Sequence, residues 1–123
     1  MANNLYNYIV GAPKTRAIFL KNYNDMKEAN TIGADKYFHA LANCQAAQQG
    51  DPREAVRLSL GREVIDSLVK NPLKGIPLKE NIADSLEDWN VDMYGLQQGL
   101  KYPNLDCRIL VNKYRPNGLN AKY

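Results

Sequence analysis

The sequence predicts an all-α fold, an antiparallel four-helix bundle wrapped by a carboxy-terminal tail. Apolar side chains recur at helical spacing in four segments, and short turns containing Gly or Pro separate those segments. Residues 96–123 hold apolar side chains without a regular pattern, so we expect them to lie back across the helices. A chain of 123 residues has the size of one domain, and we expect 1–123 to fold as a single unit.

The first two predicted helices cover residues 14–29 and 35–49. Pro13 is expected to hold the start of the first helix at residue 14, because proline is not tolerated in a helix interior. Asp35 is expected to cap the second helix, and Gly50 is expected to end it.

The third predicted helix covers residues 52–70 and follows a strong start signal, Asp-Pro-Arg-Glu. Asp51 is the expected cap, and Pro52 occupies the first turn, where its missing N–H costs nothing. Glu54 is expected to reach back to the cap as in a capping box.

The fourth predicted helix covers residues 78–95, with Gly95 and Gly99 expected to loosen the chain beyond it. Its acidic side chains are expected to form a solvated face rather than a metal site, because no histidine accompanies them. These side chains are Asp84, Glu87, Asp88 and Asp92.

Composition excludes several classes of protein. The net charge is only +3 and the basic residues are scattered, so we expect no nucleic-acid partner. No apolar run is long enough for a membrane span, and the first residues are not a secretion signal. If the protein is exported, we therefore expect it to be part of a larger carrier. No cofactor or metal is predicted.

Two interpretations of the cysteine pair remain open. Cys44 and Cys107 are either small buried side chains or the two ends of a disulfide. A bridge would close a loop of about 62 residues and stabilise the fold by roughly 4 kcal/mol through chain entropy. It would also indicate an oxidising compartment.

Residues 23–50 match the pattern Y-x-D-M-x-E-A-N-x-I-G-x-D-K-Y-F-H-A-x-x-N-x-x-A-A-x-x-G at every fixed position. Shorter motifs follow: S-L-G-R-E at 59–63, D-S-L-E-D at 84–88 and R-P-N-G-L at 115–119. By these motifs the chain resembles the serum amyloid A family over nearly its whole length. The resemblance implies a four-helix bundle held by a carboxy-terminal tail.

The chain departs from the vertebrate proteins of that family in two respects that count against a lipoprotein role, and its cysteine pattern favours a bacterial branch. The amino-terminal helix lacks the Phe-rich amphipathic face of the vertebrate proteins, and residues 96–113 are longer and more apolar than the corresponding link. The Asn43-Cys44 pair and the later Cys107 resemble serum-amyloid-A-like domains at the ends of Rhs-type polymorphic toxins.

The bacterial resemblance implies a secreted effector that acts in the periplasm or outside the cell and has a cognate immunity protein. Peptidoglycan is then the expected substrate. The vertebrate resemblance implies instead a non-enzymatic carrier, in some cases oligomeric, for a lipid or retinoid. Whether the chain is an enzyme stays open.

The candidate site surrounds His39, the only histidine. Asp35 lies one helical turn before it on the same face. Glu28 lies across the turn between the first two helices, and Glu63 lies on the third helix. As a general acid/base cluster, His39 would carry the proton, Asp35 would fix its tautomer, and burial would raise the pKa of Glu28 or Glu63.

The alternative, which we favour, is a structural polar network in the same region. Its further members are Asn30, Lys36, Asn43 and Arg62. Buried polar groups must be hydrogen-bonded, and such networks specify one packing arrangement.

Overall fold

A computed structural model describes the backbone over residues 4–70 and 78–123 and the side chains over residues 5–61 and 86–123. Within those ranges all regular structure is helical and no strand occurs, which confirms the all-α class. The elements are α1 (Asn4–Ala29), α2 (Ala34–Gln49), α3 (Pro52–Lys70), α4 (Leu78–Lys101), α5 (Cys107–Leu110) and a 3-10 turn (Asn112–Tyr114).

Helix α1 begins ten residues before the predicted start and contains Pro13 in its interior. The prediction was wrong because it treated proline as a helix boundary. Pro13 lacks the N–H that would bond the carbonyl of Ile9, but both residues are exposed. Water can therefore replace the missing donor, and the helix continues through the proline.

Helix α2 lies at the centre of the molecule, and more than half of its side chains are buried. The buried residues are Ala34, Tyr37, Phe38, Ala40, Leu41, Ala42, Asn43, Cys44 and Ala46. Its N-cap is Gly33, which has a left-handed φ of 81° and makes no side-chain cap. Asp35 is therefore not the cap, although its charge suits the first turn of a helix.

Helix α4 continues past its two glycines, which form its closest contact with α2. A Cβ atom at Gly95 would lie 2.1 Å from the carbonyl oxygen of Ala40, and one at Gly99 would lie 2.4 Å from that of Cys44. The prediction that these glycines loosen the chain was wrong. They are one helical turn apart, and their missing side chains allow the two backbones to approach.

The tail is joined to α2 by a disulfide between Cys44 and Cys107, whose Cα atoms are 5.8 Å apart. The Tyr37 hydroxyl donates a hydrogen bond of 2.7 Å to the carbonyl of Tyr123. The ring of Tyr123 also makes an edge contact with Phe38, with centroids 5.5 Å apart. The disulfide and several side-chain contacts therefore hold the tail on α2.

Substituting Gly95→Ala should lower the free energy of unfolding by about 1–3 kcal/mol, because the new methyl group overlaps the backbone of α2. Gly61→Ala is the matched control, because nothing lies within 4 Å of the corresponding Cβ in α3. The control should be stabilised by roughly 0.5–1 kcal/mol. Urea denaturation measures the free energy of unfolding of both variants. An equal rise in that free energy in the two variants would contradict the close contact between α4 and α2.

Reduction of the disulfide should lower the free energy of unfolding by about 4 kcal/mol on the chain-entropy model, since the bridged residues are 63 positions apart. Denaturation with and without dithiothreitol tests this expectation. The double variant Cys44→Ala/Cys107→Ala should be insensitive to the reductant. If dithiothreitol lowers the free energy of unfolding of both proteins equally, the disulfide is not the cause of the effect.

Candidate functional site

A cavity of about 430 Å³ lies between α1 and α2, with α4 contributing to its lining. The apolar part of the described lining comes from Phe19, Tyr23 and Met26 of α1 and from Phe38 and Ala42 of α2. Phe38 is only 1% exposed and makes an edge contact with Tyr37, with ring centroids 5.3 Å apart. One wall of the cavity is therefore a packed aromatic cluster.

Asp35 and His39 both line this cavity, one turn apart on α2. The structure thus brings together two of the four residues predicted for the acid/base cluster. Asp35 is exposed, whereas His39 is half-buried.

Asn43 also lines the cavity and connects α2 to α3. Its amide nitrogen donates a 2.9 Å hydrogen bond to the carbonyl of His39, and its amide oxygen accepts one of 3.2 Å from the Ser59 hydroxyl. Asn43 is 1% exposed, so these bonds satisfy polar atoms that water cannot reach.

Two polar lining residues were not predicted as part of the site. Asn22 of α1 is buried, and its side-chain nitrogen donates a 2.8 Å hydrogen bond to the amide oxygen of Gln45 on α2. Asp92 of α4 is 1% exposed, so the prediction that it belongs to a solvated face was wrong. Asp92 precedes Gly95 and Gly99 by three and seven residues, which places it on the face of α4 that packs against α2.

Glu28 does not behave as the predicted buried acid. It is exposed and accepts hydrogen bonds from the Lys122 ammonium and the Tyr123 hydroxyl. These bonds, with that of Lys122 contributing most, lower the pKa of Glu28 below its ordinary value. For Glu28 the expectation of a raised pKa was wrong, because its carboxylate binds the tail at the surface.

Two residues predicted for the polar network make other contacts or lie at the surface. Lys36 forms an ion pair with Glu87 of α4. Asn30 is exposed and has a positive φ of 43° just after the end of α1. The side chains of Arg62 and Glu63 lie outside the described residues.

Two features are absent from the described part of the chain. It contains no group of three His, Cys, Asp or Glu side chains that suits a metal ion. No helix in it is both long and apolar enough to span a membrane.

A cluster of charged and polar side chains surrounds Glu54, which is fully buried. Its carboxylate accepts hydrogen bonds from Tyr8 and Arg16 of α1, both at 2.7 Å, and from Arg57 of α3 at 2.5 and 2.9 Å. The bonds from Arg57, followed by those from Tyr8 and Arg16, lower the pKa of Glu54 from 4.5 to about 2.

Glu54 therefore joins α3 to α1 and does not form the predicted capping box. The cap of α3 is Asp51, whose side chain accepts a 2.8 Å hydrogen bond from the backbone N–H of Arg53. The sequence signal for Glu54 was ambiguous, because a glutamate in the first turn of a helix suits either role.

Helix α1 also carries exposed apolar side chains on one side. At 100° per residue they fall within a sector of about 140°. We call this set the α1 stripe, and it consists of Leu5, Tyr6, Ile9, Val10, Leu20 and Tyr23, with exposed fractions of 69, 61, 60, 47, 61 and 53%. Clustered apolar exposure of this kind marks an interaction surface.

The family model described as serum amyloid A protein matches residues 6–123. The chain belongs to the serum amyloid A family. A serum amyloid A protein of Felis catus is 44% identical over 125 residues, which cover 100% of this chain and 88% of that protein. A serum amyloid A protein of Ovis aries is 37% identical over 103 residues, or 82% and 83% of the two chains.

A third relative, the serum amyloid A protein of Anas platyrhynchos, is 36% identical over 104 residues, covering 85% of this chain and 69% of that one. All three relatives come from vertebrates. The expectation of a bacterial toxin-type effector is therefore wrong. The peptidoglycan substrate and the immunity protein lose their support with it, because both depended on that expectation.

The Glu54 cluster should make the stability of this chain depend on pH. Since the pKa of Glu54 is lower in the folded state, its contribution is complete above pH 4.5 and is lost as the pH falls from 4.5 towards 2. Glu54→Gln should lower the free energy of unfolding by about 1–3 kcal/mol near pH 7.

Urea denaturation of both proteins between pH 2 and 7 measures this dependence. The difference between wild type and Glu54→Gln should shrink steadily below pH 4.5. A constant difference across that range would show that the Glu54 charge does not stabilise the fold.

Proposed function

We propose that the chain is a non-enzymatic carrier that binds lipid through the α1 stripe. The observation that carries this proposal is the exposure of six large apolar side chains on one side of a long helix. Burying such side chains against a lipid surface contributes roughly 1.5–3 kcal/mol for each one fully buried. A helix with an apolar side of this kind can lie in the interface of a lipid layer.

Charge along α1 also supports lipid binding. Lys14 and Lys21 are exposed and, at helical spacing, border the α1 stripe. Basic side chains beside an apolar face favour lipid surfaces that contain anionic headgroups. The sequence lacks the Phe-rich form of this face, but leucine, isoleucine and valine provide apolar area in its place.

We further propose an arrangement for the four long helices and a place where the chain acts. The four long helices form an antiparallel bundle, which leaves the outer side of α1 available. The names of its relatives contain the word serum. On that basis we propose that this chain acts outside the cell. The Cys44–Cys107 disulfide fits an oxidising compartment.

Co-flotation with vesicles of mixed zwitterionic and anionic lipid tests the proposal. The double variant Ile9→Gln/Leu20→Gln should bind vesicles at least about tenfold more weakly, because it removes two apolar contacts. Ile109→Gln is the matched control, because Ile109 is 73% exposed but lies in the tail. The control should bind as the wild type does.

Equal vesicle binding by the double variant and the wild type would overturn the proposal. Sedimentation analysis adds a second check. If the wild type does not bind vesicles but forms an oligomer that the double variant cannot form, the α1 stripe is an interface between copies of the chain.

A further inference from the structure

The R-P-N-G-L motif near the carboxy-terminal end of the chain contains a turn at Asn117 and Gly118. This turn belongs neither to the α1 stripe nor to the lining of the cavity between α1 and α2. We propose that Asn117 is a modification site, which converts without an enzyme to aspartate and isoaspartate, and that the isoaspartate form loosens residues 119–123 from α2.

The conversion is an intramolecular reaction followed by hydrolysis. The backbone nitrogen of Gly118 gives its proton to water and attacks Cγ of Asn117. A bond forms between these two atoms, and the bond from Cγ to Nδ2 breaks. Nδ2 takes a proton from water and leaves as ammonia, so that a five-membered succinimide ring remains. A water molecule then opens the ring at Cγ to give aspartate, or at the backbone carbonyl carbon to give isoaspartate.

The structure leaves both reacting groups open to this attack. Among the described residues, the backbone nitrogen of Gly118 and the side chain of Asn117 make no hydrogen bond. Nothing lies within 4 Å of the position that a Cβ of Gly118 would occupy, and its φ is 87°, which glycine adopts without strain. Both residues are exposed, so water reaches the reacting atoms.

Two other exposed asparagines lack this combination of features. Asn104 precedes Leu105, whose backbone nitrogen already donates a 3.3 Å hydrogen bond. The side-chain oxygen of Asn120 accepts a 2.9 Å hydrogen bond from the backbone. Asn117 is the only asparagine of the sequence that is followed by glycine. Conversion is therefore expected at Asn117 before either of the others.

The chain is fixed on both sides of the turn, so a change of backbone length between the fixed points has an effect. Arg115 donates hydrogen bonds of 3.1 Å to the Tyr37 hydroxyl of α2 and of 2.9 Å to the carbonyl of Asn120. Beyond the turn, Leu119 and Tyr123 are buried in the core that includes α2. Isoaspartate carries the backbone through Cγ and lengthens it by one atom. A close-packed core does not absorb that change without losing contacts.

Incubation of the intact, disulfide-bonded chain in mildly alkaline buffer tests the site. Alkaline buffer speeds the reaction because the attacking nitrogen must lose its proton. The tryptic peptide 114–122 contains Asn117 and Asn120, so fragment masses compare the two side chains in one sample. Asn117 should convert at least about tenfold faster than Asn120 or Asn104.

Three variants locate the reacting groups. Asn117→Gln should remove the isoaspartate signal, because a glutamine would have to form a six-membered ring. Asn104→Gln is the matched control at another exposed position and should leave that signal unchanged. Gly118→Ala should slow the conversion by at least about tenfold, because a methyl group obstructs the nitrogen and alanine disfavours the positive φ. Circular dichroism checks that each variant folds.

Hydrogen exchange measures the effect on the tail, after chromatography has separated the isoaspartate form from the unmodified protein. The backbone N–H of Tyr123 donates a 3.1 Å hydrogen bond to the carbonyl of Asn120. This amide and its neighbours in residues 119–123 should exchange at least about threefold faster in the isoaspartate form. The amides of α2 should exchange at the same rate in both forms.

Three results would overturn the proposal. The first is conversion of Asn117 no faster than that of Asn120. The second is an isoaspartate signal that persists in Asn117→Gln or is unaffected by Gly118→Ala in a folded protein. The third is equal exchange of residues 119–123 in the isoaspartate form and the unmodified protein, which would show that the turn absorbs the extra atom.

Discussion

The close approach of α2 and α4 is the constraint on which the rest of the structure depends. Gly95 and Gly99 bring the backbone of α4 against the carbonyls of Ala40 and Cys44, leaving no room for a side chain between them. This contact turns Asp92 inward, towards the cavity. The same stretch of α2 also carries the sulfur that bonds the tail, so one face-to-face contact positions α4, the tail and the site.

The sequence predicted the elements better than it predicted their contacts. The observed bounds of α2 and α3 differ from the predicted bounds by at most one residue. The reason is that a glycine marks the end of α2 and an Asp-Pro pair marks the start of α3. The errors came from residues that suit two roles. Gly95 is a helix breaker in water but a spacer against another backbone, and the sequence alone does not reveal which environment applies.

The candidate site was predicted in part for a similar reason. Asp35 and His39 share a helix face, and periodicity is enough to pair them. Glu28 was wrongly assigned a buried position because its partners, Lys122 and Tyr123, are more than ninety residues away in the chain. Contacts between residues so far apart in the chain depend on how the tail packs against the helices. Local sequence patterns do not encode that packing.

The position of the disulfide has a consequence for how the molecule survives proteolysis. Residues 102–106, between α4 and the bridged Cys107, are all exposed and present a target for a protease. A cut there would break the chain without releasing the carboxy-terminal fragment, because Cys107 stays covalently joined to α2. The nicked molecule would keep its mass on a non-reducing gel, and only a thiol would separate the two pieces.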